Sequence, residues 1–126
     1  MALNILHREE CYQIQGAIFE VYREMGNGFL ESVYQECLGK EFLKRSIPFV
    51  EHPELKLFYK EEPLRQIYIP DFVCYKSIIV ELKALSATTG AHKSQVLNYL
   101  KATKMNLGLL VNFGCHPKAT VERIVL

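Results

Sequence analysis

Apolar residues in the first third of the chain recur at steps of three and four. Ile14, Ile18, Val21, Tyr22 and Met25 form one such row between polar neighbours, the pattern of one face of an amphipathic helix. Gly26-Asn27-Gly28 ends it, because glycine tolerates the left-handed conformation common just past a helix. A second helix follows at once, with Leu30, Tyr34, Cys37, Leu38 and Phe42 on one side. It fades at Ser46-Ile47-Pro48, where proline biases its predecessor away from helix.

The period then changes. Leu55, Leu57 and Tyr59 alternate with Lys56, Phe58 and Lys60, which predicts a strand. Glu61-Glu62-Pro63 reads as a turn, Gln66–Tyr75 as a second strand interrupted at Pro70, and Lys76-Ser77 as a short turn. A third strand, Ile78–Leu85, is rich in branched residues. Thr88–Thr103 is a predicted helix with Val96, Leu97 and Leu100 inward. Leu107–Phe113 is the nearly all-apolar run of a strand covered on both faces, and Val121–Leu126 closes the chain as a short strand. The predicted order is α-α-β-β-β-α-β-β, an α/β or α+β protein with a mixed central sheet flanked by helices. Ile78–Leu85, the helix and Leu107–Phe113 have the length of a right-handed crossover between parallel strands.

Composition narrows the class. A chain of 126 residues, 49% apolar and 23% charged, is an ordinary globular protein, expected to form one domain over residues 1–126. No apolar run approaches the roughly 18 residues of a membrane span. The opening MALNILHREECYQ shows no basic region followed by an apolar stretch, so a cytoplasmic location is expected. The net charge of +1 lacks the basic excess common in nucleic-acid binders. Any such contact must come from a local patch, a bound cation or a partner. Cys11, Cys37, Cys74 and Cys115 have neither CxxC nor zinc-finger spacing and read as small buried apolar residues, not as iron–sulfur or zinc ligands.

The chemistry lies in charges planted in apolar strands. Asp71 shares strand parity with Ile67, Ile69, Val73 and Tyr75, and interrupts that row. Glu81 and Lys83, two apart, point to one face with Ile79 and Leu85. Buried charges are costly unless they are paired or bind a metal. A three-residue connection at Tyr75-Lys76-Ser77 would set Asp71 opposite Glu81; a two-residue turn at Lys76-Ser77 would set Leu82 there instead, so the site requires the longer turn or a bulge near Pro70. Two neighbouring carboxylates suit a hard divalent cation, and a lysine two residues after the second acid can orient an attacking water and stabilise charged phosphate oxygens. The bland alternative is a salt-bridge network in which Lys83 pairs with Asp71 or Glu81 and does nothing else.

Pro70-Asp71, a short hairpin and then Glu81-Leu82-Lys83 resemble the PD…(D/E)XK signature of the restriction-endonuclease-like superfamily. Gln95-Val96-Leu97-Asn98-Tyr99 resembles the QxxxY element of its RecB-like branch; positions four apart share a helix face. Gly28-Phe29-Leu30-Glu31-Ser32-Val33-Tyr34 is similar to the motif that names the GxxExxY protein family, with further similarity over Glu20–Gly26 and Leu107–Phe113. The resemblance covers Gly16 to Phe113. It implies a restriction-endonuclease-like core with Asp71, Glu81 and Lys83 as catalytic positions and Gln95 and Tyr99 supporting them. It also implies Glu31 as a further acid beside the metal ligands Asp71 and Glu81, Mg²⁺ or Mn²⁺ as cofactor, and nucleic acid as partner. His92 matches a recurrent family position. Two positions depart from the pattern: Tyr22 stands where histidine is expected, and Asn27 where proline is.

Each supporting residue also has a plainer reading. Glu31 suits the first turn of any helix, Tyr34 suits a core, and His92 suits an exposed helix start. Gly26 and Gly28 are turn residues and not a phosphate loop, since no strand precedes them. The leading expectation is Mg²⁺-dependent hydrolysis of phosphodiester bonds in DNA, with RNA as the other substrate. The alternative is a non-catalytic nucleic-acid-associated or protein-interaction module that keeps the fold. So small a domain covers little of a duplex, so a homodimer is a further expectation.

Overall fold

The computed structural model describes residues 5–126. The first four residues of the opening stretch read above for a leader lie outside it. The elements are α1 (Arg8–Met25), α2 (Glu31–Lys44), β1 (Phe49–Glu51), β2 (Leu55–Tyr59), β3 (Glu62–Tyr68), β4 (Phe72–Cys74), β5 (Ile78–Lys83), α3 (Gly90–Thr103), β6 (Leu107–Asn112) and β7 (Thr120–Val125). Five strands form a mixed sheet in the order β1-β4-β5-β6-β7, and β2 and β3 form a separate hairpin. Only β5 and β6 run parallel, joined through α3 as the crossover predicts.

The α/β class and the helix-flanked mixed sheet are as expected, but the element order gains two strands. The stretch Gln66–Tyr75 is not one strand. β3 ends at Tyr68, β4 begins at Phe72, and the two lie in different sheets. Ile69-Pro70-Asp71 carries the chain across, and Pro70 brings no N–H to a ladder. β1, three residues paired only with β4, is too short to show a period. The turn expected at Glu61-Glu62-Pro63 sits one residue earlier. Lys60 and Glu61 have φ of 47° and 69°, while Glu62 and Pro63 already pair with β2. Pro63 is tolerated because β3 is an edge strand.

The sheet separates two apolar layers. Phe72, Cys74, Ile78, Val80, Leu82, Leu109 and Val111 pack on α1 and α2 through Ile14, Ile18, Leu38 and Phe42. Val73, Ile79, Leu110 and Ile124 face α3 and the hairpin through Val96, Leu100, Leu57 and Tyr68. Gly108 lets α3 lie close, since a Cβ there would stand 2.8 Å from Val96 Cγ1. Leu30, expected inward, is 75% exposed, because it caps α2 from outside the first turn.

Candidate active site

The register of β4 and β5 decides the site. Cys74 pairs with Ile78, so Tyr75-Lys76-Ser77 is the three-residue connection, with Tyr75 and Lys76 at φ of 54° and 60°. The ladder runs to Phe72 opposite Val80, and Asp71 follows beside Glu81. Two bonds tie these residues across the strand end. Leu82 N–H donates to Asp71 Oδ2 at 2.7 Å, and Asp71 N–H donates to Glu81 Oε1 at 3.2 Å. Tyr68, the last residue of β3, donates its hydroxyl to the same Glu81 oxygen at 2.8 Å. The Asp71 carbonyl accepts from Gln35 Nε2 of α2 at 3.2 Å and from His52 N–H at 3.0 Å. His52 also places its Nε2 3.8 Å from Asp71 Oδ1.

Both acids are held above the usual carboxylate range. Burial, then the charge of Asp71, pushes Glu81 up to about 7, against the bonds from Tyr68 and the Asp71 N–H and the charge of Lys83. Burial likewise raises Asp71, against the Leu82 N–H, His52 and Lys83. Burial raises the Tyr68 hydroxyl too, followed by the Glu81 charge, so it remains a donor.

Lys83 ends β5 half-buried. Among the described residues it makes no ion pair within 4.0 Å, so the salt-bridge arrangement in which it pairs with Asp71 or Glu81 is not the one found. Its backbone is fixed instead. Phe113 N–H donates to the Lys83 carbonyl at 2.9 Å. Two residues on, the Leu85 N–H and carbonyl are both bound by the buried Asn112 amide at 2.9 Å. Asn112 Oδ1 also accepts from Gly114 N–H, and its Nδ2 donates to Cys115 Sγ. Gly114 lies so close to the Leu85 backbone that a Cβ would stand 2.2 Å from its carbonyl oxygen.

The remaining expected residues are placed less directly. Tyr99 stacks on Tyr68, rings 3.8 Å apart and 4° from parallel, and so reaches Glu81 through Tyr68. Gln95 is exposed and lines an open groove along α3 with His92, Ser94, Asn98 and Tyr99. Glu31 is exposed in the first turn of α2, one turn before Gln35. Among the described residues no three His, Cys, Asp or Glu side chains stand close enough together to hold a metal ion. Glu31 therefore does not join Asp71 and Glu81 in this arrangement. His92 has a structural part: its Nδ1 accepts from Thr89 N–H at 2.9 Å in a capping box that starts α3. Tyr22 donates to the Cys115 carbonyl at 2.7 Å, and Tyr34 is core, stacked 4.4 Å from Phe113.

The sequence reading missed Tyr68, His52, Gln35 and Asn112. Asn112 left one signal, an amide ending an otherwise apolar run. The others gave none distinct from an ordinary strand, turn or helix residue.

Two half-buried carboxylates side by side, each held back from ionising, offer oxygen donors of the kind a divalent cation takes. Their chemistry fits such an ion, with two carboxylates to offer it and no third acid, His or Cys placed to complete the set among the described residues. A family model described as the PD-(D/E)XK nuclease superfamily matches residues 8–124. No curated protein and no solved structure matches the chain.

Proposed function

The chain belongs to the PD-(D/E)XK nuclease superfamily, and from that premise we propose that it is a metal-dependent nuclease, one domain over residues 1–126, that hydrolyses phosphodiester bonds in DNA. RNA is the second substrate to test. The observation that carries the reading is Asp71 beside Glu81 with Lys83 two residues on and without an ion-pair partner within 4.0 Å among the described residues. The QxxxY spacing and the Gly28–Tyr34 motif favour the RecB-like branch and the GxxExxY family within it.

Asp71 and Glu81 would hold Mg²⁺, with Mn²⁺ as a substitute. When bound, the ion lowers the pKa of a water and neutralises charge on the phosphate. The Leu82 N–H fixes Asp71 Oδ2 and leaves Oδ1 as the freer donor. Tyr68 orients Glu81, and Tyr99 braces Tyr68 by stacking. Lys83, on a strand end clamped by Asn112, orients the attacking water and stabilises the phosphate oxygens. Gln95, on the open α3 groove, contacts the substrate backbone, and Glu31, exposed and apart from Asp71 and Glu81 in this arrangement, is the further acid that α2 could bring to them.

The test is cleavage of single- and double-stranded DNA with Mg²⁺ or Mn²⁺. Wild type should cut, while Asp71→Ala and Lys83→Ala should lose at least about a hundredfold in rate with the fold intact. Unchanged rates in both variants would refute the assignment. The near-neutral charge favours a second reading, a nucleic-acid-associated module without turnover. Melting temperature raised by the metal in wild type but not in Asp71→Ala, without cleavage of any nucleic acid, would select it.

A further inference from the structure

On the α1 side of the sheet, away from Asp71 and Glu81, a cavity opens between the start of α1 and the middle of β7. Ile5, Arg8, Cys11, Tyr12, Gln15 and Arg123 line it. Arg123 stands opposite Leu109 in the ladder and carries a buried Nε without a hydrogen-bond partner, the one buried side-chain polar atom in that state among the described residues. One of its other nitrogens donates to the Leu6 carbonyl. No carboxylate lies within 4.0 Å of its guanidinium among the described residues. The neighbouring Cys11 thiol supplies no charge, since burial pushes its pKa up against a hydrogen bond with Arg123 and the Arg123 charge. Glu9, the acid in the lining, turns along the helix to accept from Gln13 at 3.0 Å, and Glu10 lies 3.8 Å from His7.

Arg123 as a whole is half-buried, but its orphaned buried donor calls for a water or ion to satisfy it. The rim points the same way. The α1 N-terminus has no side-chain cap, since His7 makes no capping bond; the Arg8 N–H donates to the Ile5 carbonyl at 3.2 Å, and the N–H groups of Glu9 and Glu10 are open among the described residues. Arg8 shares that first turn with Glu9 and Glu10, which suit the helix dipole, and among the described residues it pairs with neither within 4.0 Å. Tyr12, 71% exposed, offers a ring at the mouth.

We propose that this cavity binds a phosphate group, with Arg123 at its floor and Arg8 and the open α1 N–H groups at its mouth. The proposal is independent of the nuclease reading, because it involves neither Asp71 nor a metal. Phosphate could come from inorganic phosphate, a nucleoside monophosphate or a nucleic-acid backbone, and the test separates these sources.

The experiment is the melting temperature in EDTA with each of the three added, against chloride at matched ionic strength. Wild type and Asp71→Ala should both gain about 3 °C at saturation with at least one of them. Arg123→Met, whose thioether fills similar space, should fold and lose the gain, and Arg8→Ala should lose part of it. A gain with the monophosphate above that with inorganic phosphate would add a base on Tyr12. A gain with the oligonucleotide alone would make the cavity a contact for a strand. No gain in wild type with any of the three, or an equal gain in Arg123→Met, would overturn the proposal.

Discussion

Glu81 is asked to be a carboxylate in a place that favours the carboxylic acid. Its ordinary value of 4.5 is pushed up to about 7, and Asp71 is raised as well. Well below the ordinary values of 3.8 for Asp and 4.5 for Glu, both carboxyls are protonated in the folded and unfolded chains, and neither affects stability. As pH rises toward 7 the unfolded chain gives up these protons first, so the folded state binds more of them and stability falls. Above about 7 the loss is complete and constant. Without metal, wild type should therefore lose on the order of 2 kcal/mol between pH 4.5 and 7 relative to Glu81→Gln, and Mg²⁺ should restore most of it. Melting temperature against pH for the two proteins checks this; a wild type that gained on the variant across that window would show that burial does not govern the site. The acids were legible in the sequence because charge interrupts an apolar row, which is a one-dimensional signal. Tyr68 and His52 were not, because their part arises only when the chain crosses from one sheet to the other and brings them back beside Asp71.

At the scale of elements, the site depends on a turn. Tyr75-Lys76-Ser77 sets β4 against β5 so that Asp71 meets Glu81, and a strand shifted by one residue turns every side chain to the opposite face. Deleting Ser77 while the three-residue connection is kept, now as Tyr75-Lys76-Ile78, should pair Cys74 with Ile79, place Leu82 opposite Asp71 and turn Glu81 into the α1 and α2 core. The expected result is loss of any Mg²⁺-dependent rise in melting temperature with a destabilisation of several kcal/mol, whereas Ser77→Gly should keep both. A deletion variant that paired Cys74 with Ile79 and still responded to Mg²⁺ would mean that register does not build the site, whereas a retained Cys74–Ile78 pair would mean that the shorter turn Tyr75-Lys76 holds the register. The long elements were legible for the same reason that they are stable. α1, α2 and α3 each bury a stripe, and β6 is covered on both faces, so each writes its period into the sequence. β1 and β4, three residues each, have no room for a period, and β3 is exposed at every position but Tyr68, so no alternation marks it.

The molecule as a whole is lopsided about its sheet. The α1 and α2 side carries a large aromatic and aliphatic core, including Phe42, Phe72 and Phe113, whereas the α3 side has a smaller one whose outer wall is the β2–β3 hairpin. Asp71 and Glu81 lie on this thinner side, and the hairpin is tied to them by the Tyr68 hydroxyl and the Tyr68–Tyr99 stack. A segment with few buried contacts opens at lower free energy than the core behind it. Backbone amides of β2 and β3 should therefore exchange with solvent through a local opening, well before those of β5 and β6, which should exchange only on global unfolding. On the proposed reading, a cation on Asp71 and Glu81 would fix the carboxylate that Tyr68 holds. Mg²⁺ should then slow exchange in β3 by about tenfold, equivalent to 1.4 kcal/mol, while leaving α1 unchanged, and Tyr68→Phe should remove most of that protection. Hydrogen exchange read by mass spectrometry resolves these segments. Uniform protection across the chain on adding Mg²⁺ would show that the hairpin is not a separate unit. Protection confined to β3 but kept in Tyr68→Phe would place the coupling in the Ile69-Pro70 link instead of the hydroxyl.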